Sequence, residues 1–105
     1  MTEFSLDFQA HSADVDKAAE IASVLKVLAD PTRLRILLFL AENREKKCVC
    51  ELQAMFDLGQ PTISHHLKQL KEHQLVTSDR KGTWIEYQIT NQGLHVYETV
   101  LQFYR

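Results

Sequence analysis

No apolar run in the chain exceeds the six residues Ile36 to Ala41, far short of the roughly 20 that a membrane-spanning helix needs. Met1 to Ala10 carries Glu3 and Asp7 where an export signal would be basic and apolar, so the sequence predicts an unprocessed cytoplasmic protein with no membrane partner. With three glycines in 105 residues there is no Gly/Ser-rich linker, and no internal repeat or low-complexity tract. A large multidomain enzyme is excluded by length, and one modest core is what the chain can bury. The only cysteines, Cys48 and Cys50, rule out a disulfide framework. With a single residue between them they are badly placed to bond to each other, so the expectation is two free thiols.

The net charge of −2 argues against nucleic acid until it is divided along the chain. Residues 1–30 carry two basic against six acidic side chains, residues 31–83 nine against six, and residues 84–105 one against two. The positive excess lies in the middle, which matters only if that segment also has a DNA-binding shape.

Met1 to Ser12 reads as a mobile arm and residues 13–105 as one domain. Ala18, Ile21, Ala22, Leu25 and Leu28 recur at helical spacing, giving an amphipathic helix over Ala13 to Leu28. Asp30-Pro31 is a helix start, with a carboxylate at the N-cap and proline at the first position. The helix it opens, Pro31 to about Glu42, is apolar nearly all round and is expected at the centre of the core. A short helix over about Val49 to Phe56 follows. Gly59 is assigned the positive φ of the turn after it, and Pro61 opens a helix of about 61–73 with Ile63, Leu67 and Leu70 inward. Leu75 to Ser78 and Trp84 to Thr90 read as strands around a basic turn, Arg80-Lys81-Gly82, in a wing of about 75–90. Asn91 is the expected cap of a last helix, Gln92 to Tyr104. This order predicts a mainly α (α+β) fold, a winged helix-turn-helix with an extra helix at each end and one β-hairpin wing.

The helix after Gly59 has what a major-groove reader requires: short polar groups that reach base edges, Gln60, Thr62, Ser64 and His65, and a cation for phosphate, Lys68. Such residues also suit any surface helix. At the wing, Arg80 and Lys81 are the candidate backbone contacts. His66 lies nearer the inward face, Arg33 and Arg35 are read as anchors within the fold or the dimer, and His73 and His95 as surface or packing residues.

The stretches LADPTRLRILLFL at 28–40, CVCEL at 48–52, GQPTISHHLKQLKEHQLV at 59–76 and RKGTWIEYQI at 80–89 together resemble the ArsR/SmtB metal-sensing repressors. The resemblance implies a winged-helix homodimer joined through its first and last helices, bound to double-stranded operator DNA without any cofactor until a metal or metalloid arrives. It strengthens Gln60, Ser64 and His65 as base contacts. It also marks Cys48 and Cys50 as an inducer site, although the three-cysteine version has its third thiol where this chain has Gln53. A second family site, across the final helices, is not matched: Asn91, Gly93 and His95 do not reproduce its Asp-x-His start.

Thiolates are soft donors for thiophilic ions, while buried cysteines also serve as small hydrophobes. Residues i and i+2 of a regular α-helix lie about 200° apart around the axis. Both sulfurs are therefore expected to meet one ion only if the first turn unwinds, which would displace the reading helix. The expected inducer is As(III) or Sb(III), with solvent or a small thiol completing the shell. The alternatives are Cd(II), Pb(II) or Zn(II), with His11 of the arm as a possible further ligand, and a thiol-redox input. Nothing provides a pocket loop or oxyanion cradle, so no enzyme is expected.

Overall fold

The computed structural model describes residues 14–104. The elements in chain order are α1 (Val15–Leu28), α2 (Pro31–Glu42), β1 (Lys47–Cys48), α3 (Val49–Phe56), α4 (Gln60–Glu72), β2 (Val76–Lys81), β3 (Trp84–Ile89) and α5 (Asn91–Tyr104). The winged helix-turn-helix is present, with five helices among the described residues and a three-stranded antiparallel sheet in the order β1-β3-β2. The arm expected over 1–12, His11 included, lies outside the described residues.

Helix starts follow their local chemistry. The Asp14 and Asp30 carboxylates accept from the Lys17 and Arg33 backbone N–H groups, at 2.8 and 3.0 Å, satisfying donors that have no partner inside the helix. α2 is central: Ile36, Leu37 and Leu40 are fully buried and meet Leu52 of α3, Ile63, Leu67 and Leu70 of α4, and Leu75 and Val76. α1 contributes only Val27 to this core. Its apolar residues Ile21 and Leu25 are 54% and 58% exposed, so only the Leu28 end of the stripe that defines the helix in the sequence packs against the core.

Three local expectations are corrected. The left-handed residue of the helix-turn-helix turn is Asp57 (φ 54°), not Gly59, which is extended (φ −72°, ψ 158°) and caps α4. Aspartate tolerates that region because its short polar side chain can bond locally. α5 is capped by Thr90 instead of Asn91, since the Thr90 Oγ1 accepts from the Gly93 N–H at 2.9 Å. Arg80 and Lys81 are strand residues paired with Ile85 and Trp84, and the turn is Gly82-Thr83, with Gly82 at φ 61°. β1, which the sequence reading lacks, pairs Lys47 with Tyr87 and Cys48 with Glu86.

Candidate nucleic-acid interface and thiol pair

α4 divides into two faces. Ile63, His66, Leu67 and Leu70 are buried, which leaves Gln60, Thr62, His65 and Lys68 exposed and Ser64 half-buried. The wing stands beside the first turns of this helix, and between them runs a cleft of about 300 Å³ whose lining includes Gln60, Ser64 and Arg80. Gln60, Ser64 and Arg80 are thus brought together, whereas Thr62, His65 and Lys68 lie along the free face of α4. Lys81 points into an ion-pair cluster: the Asp79 Oδ2 accepts from Lys46 Nζ at 2.8 Å and lies 3.3 Å from Lys81 Nζ. Those two lysines, chiefly through the Lys46 hydrogen bond, hold the Asp79 carboxyl below the usual carboxylate range.

Asp79 is a residue that sequence reasoning passes over, because nothing in the order Ser78-Asp79-Arg80 shows that Lys46, 33 positions away, folds onto it. Replacing it should free two cations for phosphate. For Asp79→Asn, binding to a random-sequence duplex should tighten at low salt, and the slope of log K against log salt should steepen by roughly 1–2. Anisotropy titrations at several salt concentrations measure this, and an unchanged slope would show that the pairs dissolve at the DNA surface without cost.

Arg33 and Arg35 serve the fold: the Arg33 Nη1 donates to the Val27 carbonyl at 3.0 Å, and the Arg35 guanidinium lies 4.7 Å from the Phe56 ring centre. His73 ties α4 to α1, with Nε2 2.7 Å from the Ser23 Oγ and Nδ1 3.0 Å from the Gln69 carbonyl. His66 is buried, and its Nδ1 has no hydrogen-bond partner among the described residues. Burial holds its pKa below the ordinary 6.5; nearby Asp30 opposes this, while Arg33 and His65 add to it. The unfolded chain therefore takes up the proton first, so stability is full above about pH 6.5 and falls as the pH drops toward the lower folded value. A melting series between about pH 7.5 and 5 should show this decline, and His66→Phe should flatten it; parallel curves would remove His66 as the cause.

The thiol pair departs from expectation. Cys48 and Cys50 are joined as a disulfide, with Cα atoms 5.3 Å apart, inside the range a disulfide spans. The expectation of two free thiols fails because only Cys50 is helical. Cys48 is the extended N-cap of α3 (φ −80°, ψ 162°) and the last residue of β1, so the 200° helical offset does not apply and the sulfurs converge. A capping box fixes this geometry: the Glu51 N–H donates to Cys48 Sγ at 3.4 Å, and the Cys48 N–H donates to the Glu51 Oε1 at 2.9 Å. An unwinding step is consequently not needed to bring both sulfurs to one ion. Cys48 is buried and Cys50 exposed, on the wall of the same cleft that holds Gln60, Ser64 and Arg80.

A three-stranded wing on a helix-turn-helix, with a cysteine pair at its junction, is a combination that comparison can test. Residues 30–78 match the family described as bacterial regulatory protein, arsR family. The arsenical resistance operon repressor of Staphylococcus xylosus is 41% identical over 75 residues, covering 71% of this chain and 70% of that protein. The chain belongs to the arsR family. Its likeness extends to the transcriptional repressor SmtB homolog of Synechocystis, 33% identical over 88% of this chain and 69% of that one. The crystal structure of the transcriptional repressor BigR from Xylella fastidiosa matches with a TM-score of 0.71 at 30% identity, over 86% of this chain and 91% of that chain. As an arsR-family member the protein is a DNA-binding transcriptional repressor and not an enzyme. Among the described residues no helix is long and apolar enough to cross a membrane.

Proposed function

We propose that this repressor controls a metal(loid)-resistance operon in the cytoplasm, binding its operator as a homodimer and leaving it when As(III) or Sb(III) is taken up by reduced Cys48 and Cys50. The observation that carries the reading is the cleft in which Cys50 shares walls with Gln60, Ser64 and Arg80. An inducer there lies against the DNA-contacting surface itself. Gln60, Thr62, Ser64 and His65 read base edges, Lys68 and Arg80 meet phosphates, and Lys81 joins them when it leaves Asp79. DNA binding requires no cofactor. The two soft sulfurs suit a thiophilic metalloid, and similar proteins from Staphylococcus xylosus and Bacillus subtilis are named as arsenical resistance operon repressors. Cd(II), Pb(II) or Zn(II) with added ligands, His11 among them, is the competing inducer class.

The unburied apolar residues support the dimer. α1 and α5 enclose an apolar groove of about 720 Å³ lined by Ile21, Leu25, Leu28, Val96, Val100 and Phe103, and Phe103 is 77% exposed. A second copy of the same two helices buries this surface.

The disulfide supports a second reading, in which oxidation of the pair is itself the input, since a disulfide offers no thiolate to a metalloid. One assay separates them. Reduced protein is followed by anisotropy on DNA from upstream of its own gene, titrated with arsenite, antimonite, Cd(II) or Zn(II), and separately oxidised by peroxide with a chelator present. Release by arsenite under reducing conditions supports the first reading. Release only on oxidation replaces it with the second, release only by divalent ions moves it to the competing ions, and absence of sequence-specific binding removes all three.

A further inference from the structure

We infer that Ser23 and His73 are a positioning pair for operator recognition: their hydrogen bond fixes the angle between α1 and the reading helix α4, and through α1 the spacing at which two reading helices meet DNA. This rests on the reading of the protein as a homodimer joined through α1 and α5.

The His73 ring is oriented by its own helix. The Gln69 carbonyl, 3.0 Å from Nδ1, can only accept, so in the neutral ring Nδ1 carries the proton and Nε2 presents its lone pair. The Ser23 hydroxyl, 2.7 Å away, donates to that lone pair. A serine inside a helix commonly bonds the carbonyl one turn earlier or faces solvent. Ser23 instead reaches another element, 50 positions along the chain.

The bond spans a gap that apolar packing leaves open. Clefts of about 550 and 380 Å³ are each lined by both Ser23 and His73, one toward Glu20 and Gln92, the other toward Lys26 and Gln69. α1 meets its own domain firmly at its C-terminal end, where Val27 is buried and its carbonyl accepts from the Arg33 Nη1 at 3.0 Å. One such point leaves a helix free to pivot. A second at Ser23, four residues and about 6 Å earlier along the axis, fixes its direction. α4 does not follow a pivoting α1, because Ile63, Leu67 and Leu70 are fully buried in the core. The C-terminal end of α4 is also tied to the start of α5: the Thr90 hydroxyl proton is shared between the Gln74 and Leu75 carbonyls, at 2.8 and 3.0 Å. Both helices proposed for the dimer thus grip one end of α4, while Gln60, Thr62 and Ser64 lie toward the other.

That arrangement makes α4 a lever. With 13 residues it is about 20 Å long, and a change of about 10° at the His73 end moves Gln60 by about 3 Å relative to α1. A hydrogen bond to a base edge does not survive such a displacement. A dimer must meet two half-sites about 34 Å apart at once. Angular freedom therefore weakens binding to the paired operator and leaves the phosphate contacts of non-specific binding nearly unchanged.

The full chain, reduced and free of inducer, is titrated by anisotropy onto three duplexes: DNA from upstream of its own gene, the same DNA with two base pairs inserted at the operator's centre, and a random sequence. For Ser23→Ala, operator affinity should fall about tenfold and the preference over the lengthened duplex should shrink by a similar factor, while random-sequence binding stays within about twofold. Alanine is the best helix former, so the melting temperature should stay near the parent's. His73→Ala should behave alike, and the double variant should be no worse than either, since all three lack one and the same bond. Ser23→Thr, which keeps the hydroxyl, should recover the parent's preference to within about twofold. An unchanged preference in both alanine variants would overturn the pair's role. Losses that appear equally on random DNA and follow the melting temperature would overturn it too, by showing a bond that only holds the fold. A parent that sediments as a monomer, or is indifferent to the inserted base pairs, would overturn the dimer reading itself.

Discussion

With serine at both positions 48 and 50, operator affinity should stay within about threefold of the parent while release by arsenite disappears. The two halves of this expectation have separate physical origins. Position 48 is an N-cap, and serine is among the preferred residues there because its hydroxyl accepts from the N3 backbone N–H. Glu51 keeps its bond to the residue-48 N–H, so Cys48→Ser preserves the capping box in its usual Ser-x-x-Glu form. Cys50 is exposed, so Cys50→Ser removes little packing. The fold and the reading helix are therefore retained. The response is lost because a serine hydroxyl does not ionise near neutral pH and is a hard donor, whereas metalloid capture needs thiolate sulfur. Anisotropy on the operator with and without arsenite, alongside a thermal melt, measures both halves. A double variant that still releases DNA on arsenite would place the inducer elsewhere in the chain.

The placement of that pair shows where sequence reading reaches its limit. Local pattern sufficed for α2 and α4, whose apolar periodicity is strong and whose starts carry Asp30-Pro31 and Gln60-Pro61. The same holds for β3, where Ile85, Tyr87 and Ile89 alternate with polar residues. It could not supply β1, a two-residue strand whose pairing is made with Tyr87 and Glu86 of a distant hairpin. Without β1, Cys48 is read as helical, and the wrong angle between the sulfurs follows. Asp79 was missed for the same reason, since its partner Lys46 is remote in sequence. For α1 the periodicity marks an apolar face but not its exposure: Ile21 and Leu25 are more than half exposed, which spacing along one helix does not encode. The turn residue differed because glycine is permitted at positive φ, not compelled there: Asp57 takes the left-handed position and Gly59 starts a helix.

Gly93→Ala should cost about 3 kcal/mol and lower the melting temperature by on the order of 10–20 °C. Propensity alone predicts the reverse, since alanine is better than glycine inside a helix by about 1 kcal/mol. Packing decides the sign. A Cβ on Gly93 would fall inside contact distance of the Leu75 carbonyl oxygen and 2.8 Å from the Ile89 Cδ1. The isoleucine can shift, but the carbonyl is held: it accepts from the Thr90 N–H at 3.1 Å and shares the Thr90 hydroxyl proton, at 3.0 Å, with the Gln74 carbonyl at 2.8 Å. The same threonine caps α5 through Gly93, so moving Leu75 breaks the cap as well as the junction. Ile89→Val added to Gly93→Ala should restore only a minor part of the loss, because it leaves the carbonyl clash in place. That junction joins the base of the wing, at Val76 and Ile89, to the helix proposed for the dimer. Operator affinity should therefore fall together with stability. A melting temperature equal to or above the parent's would mean that α5 slides freely on the wing base, and the wing would then have no fixed bearing on the second subunit.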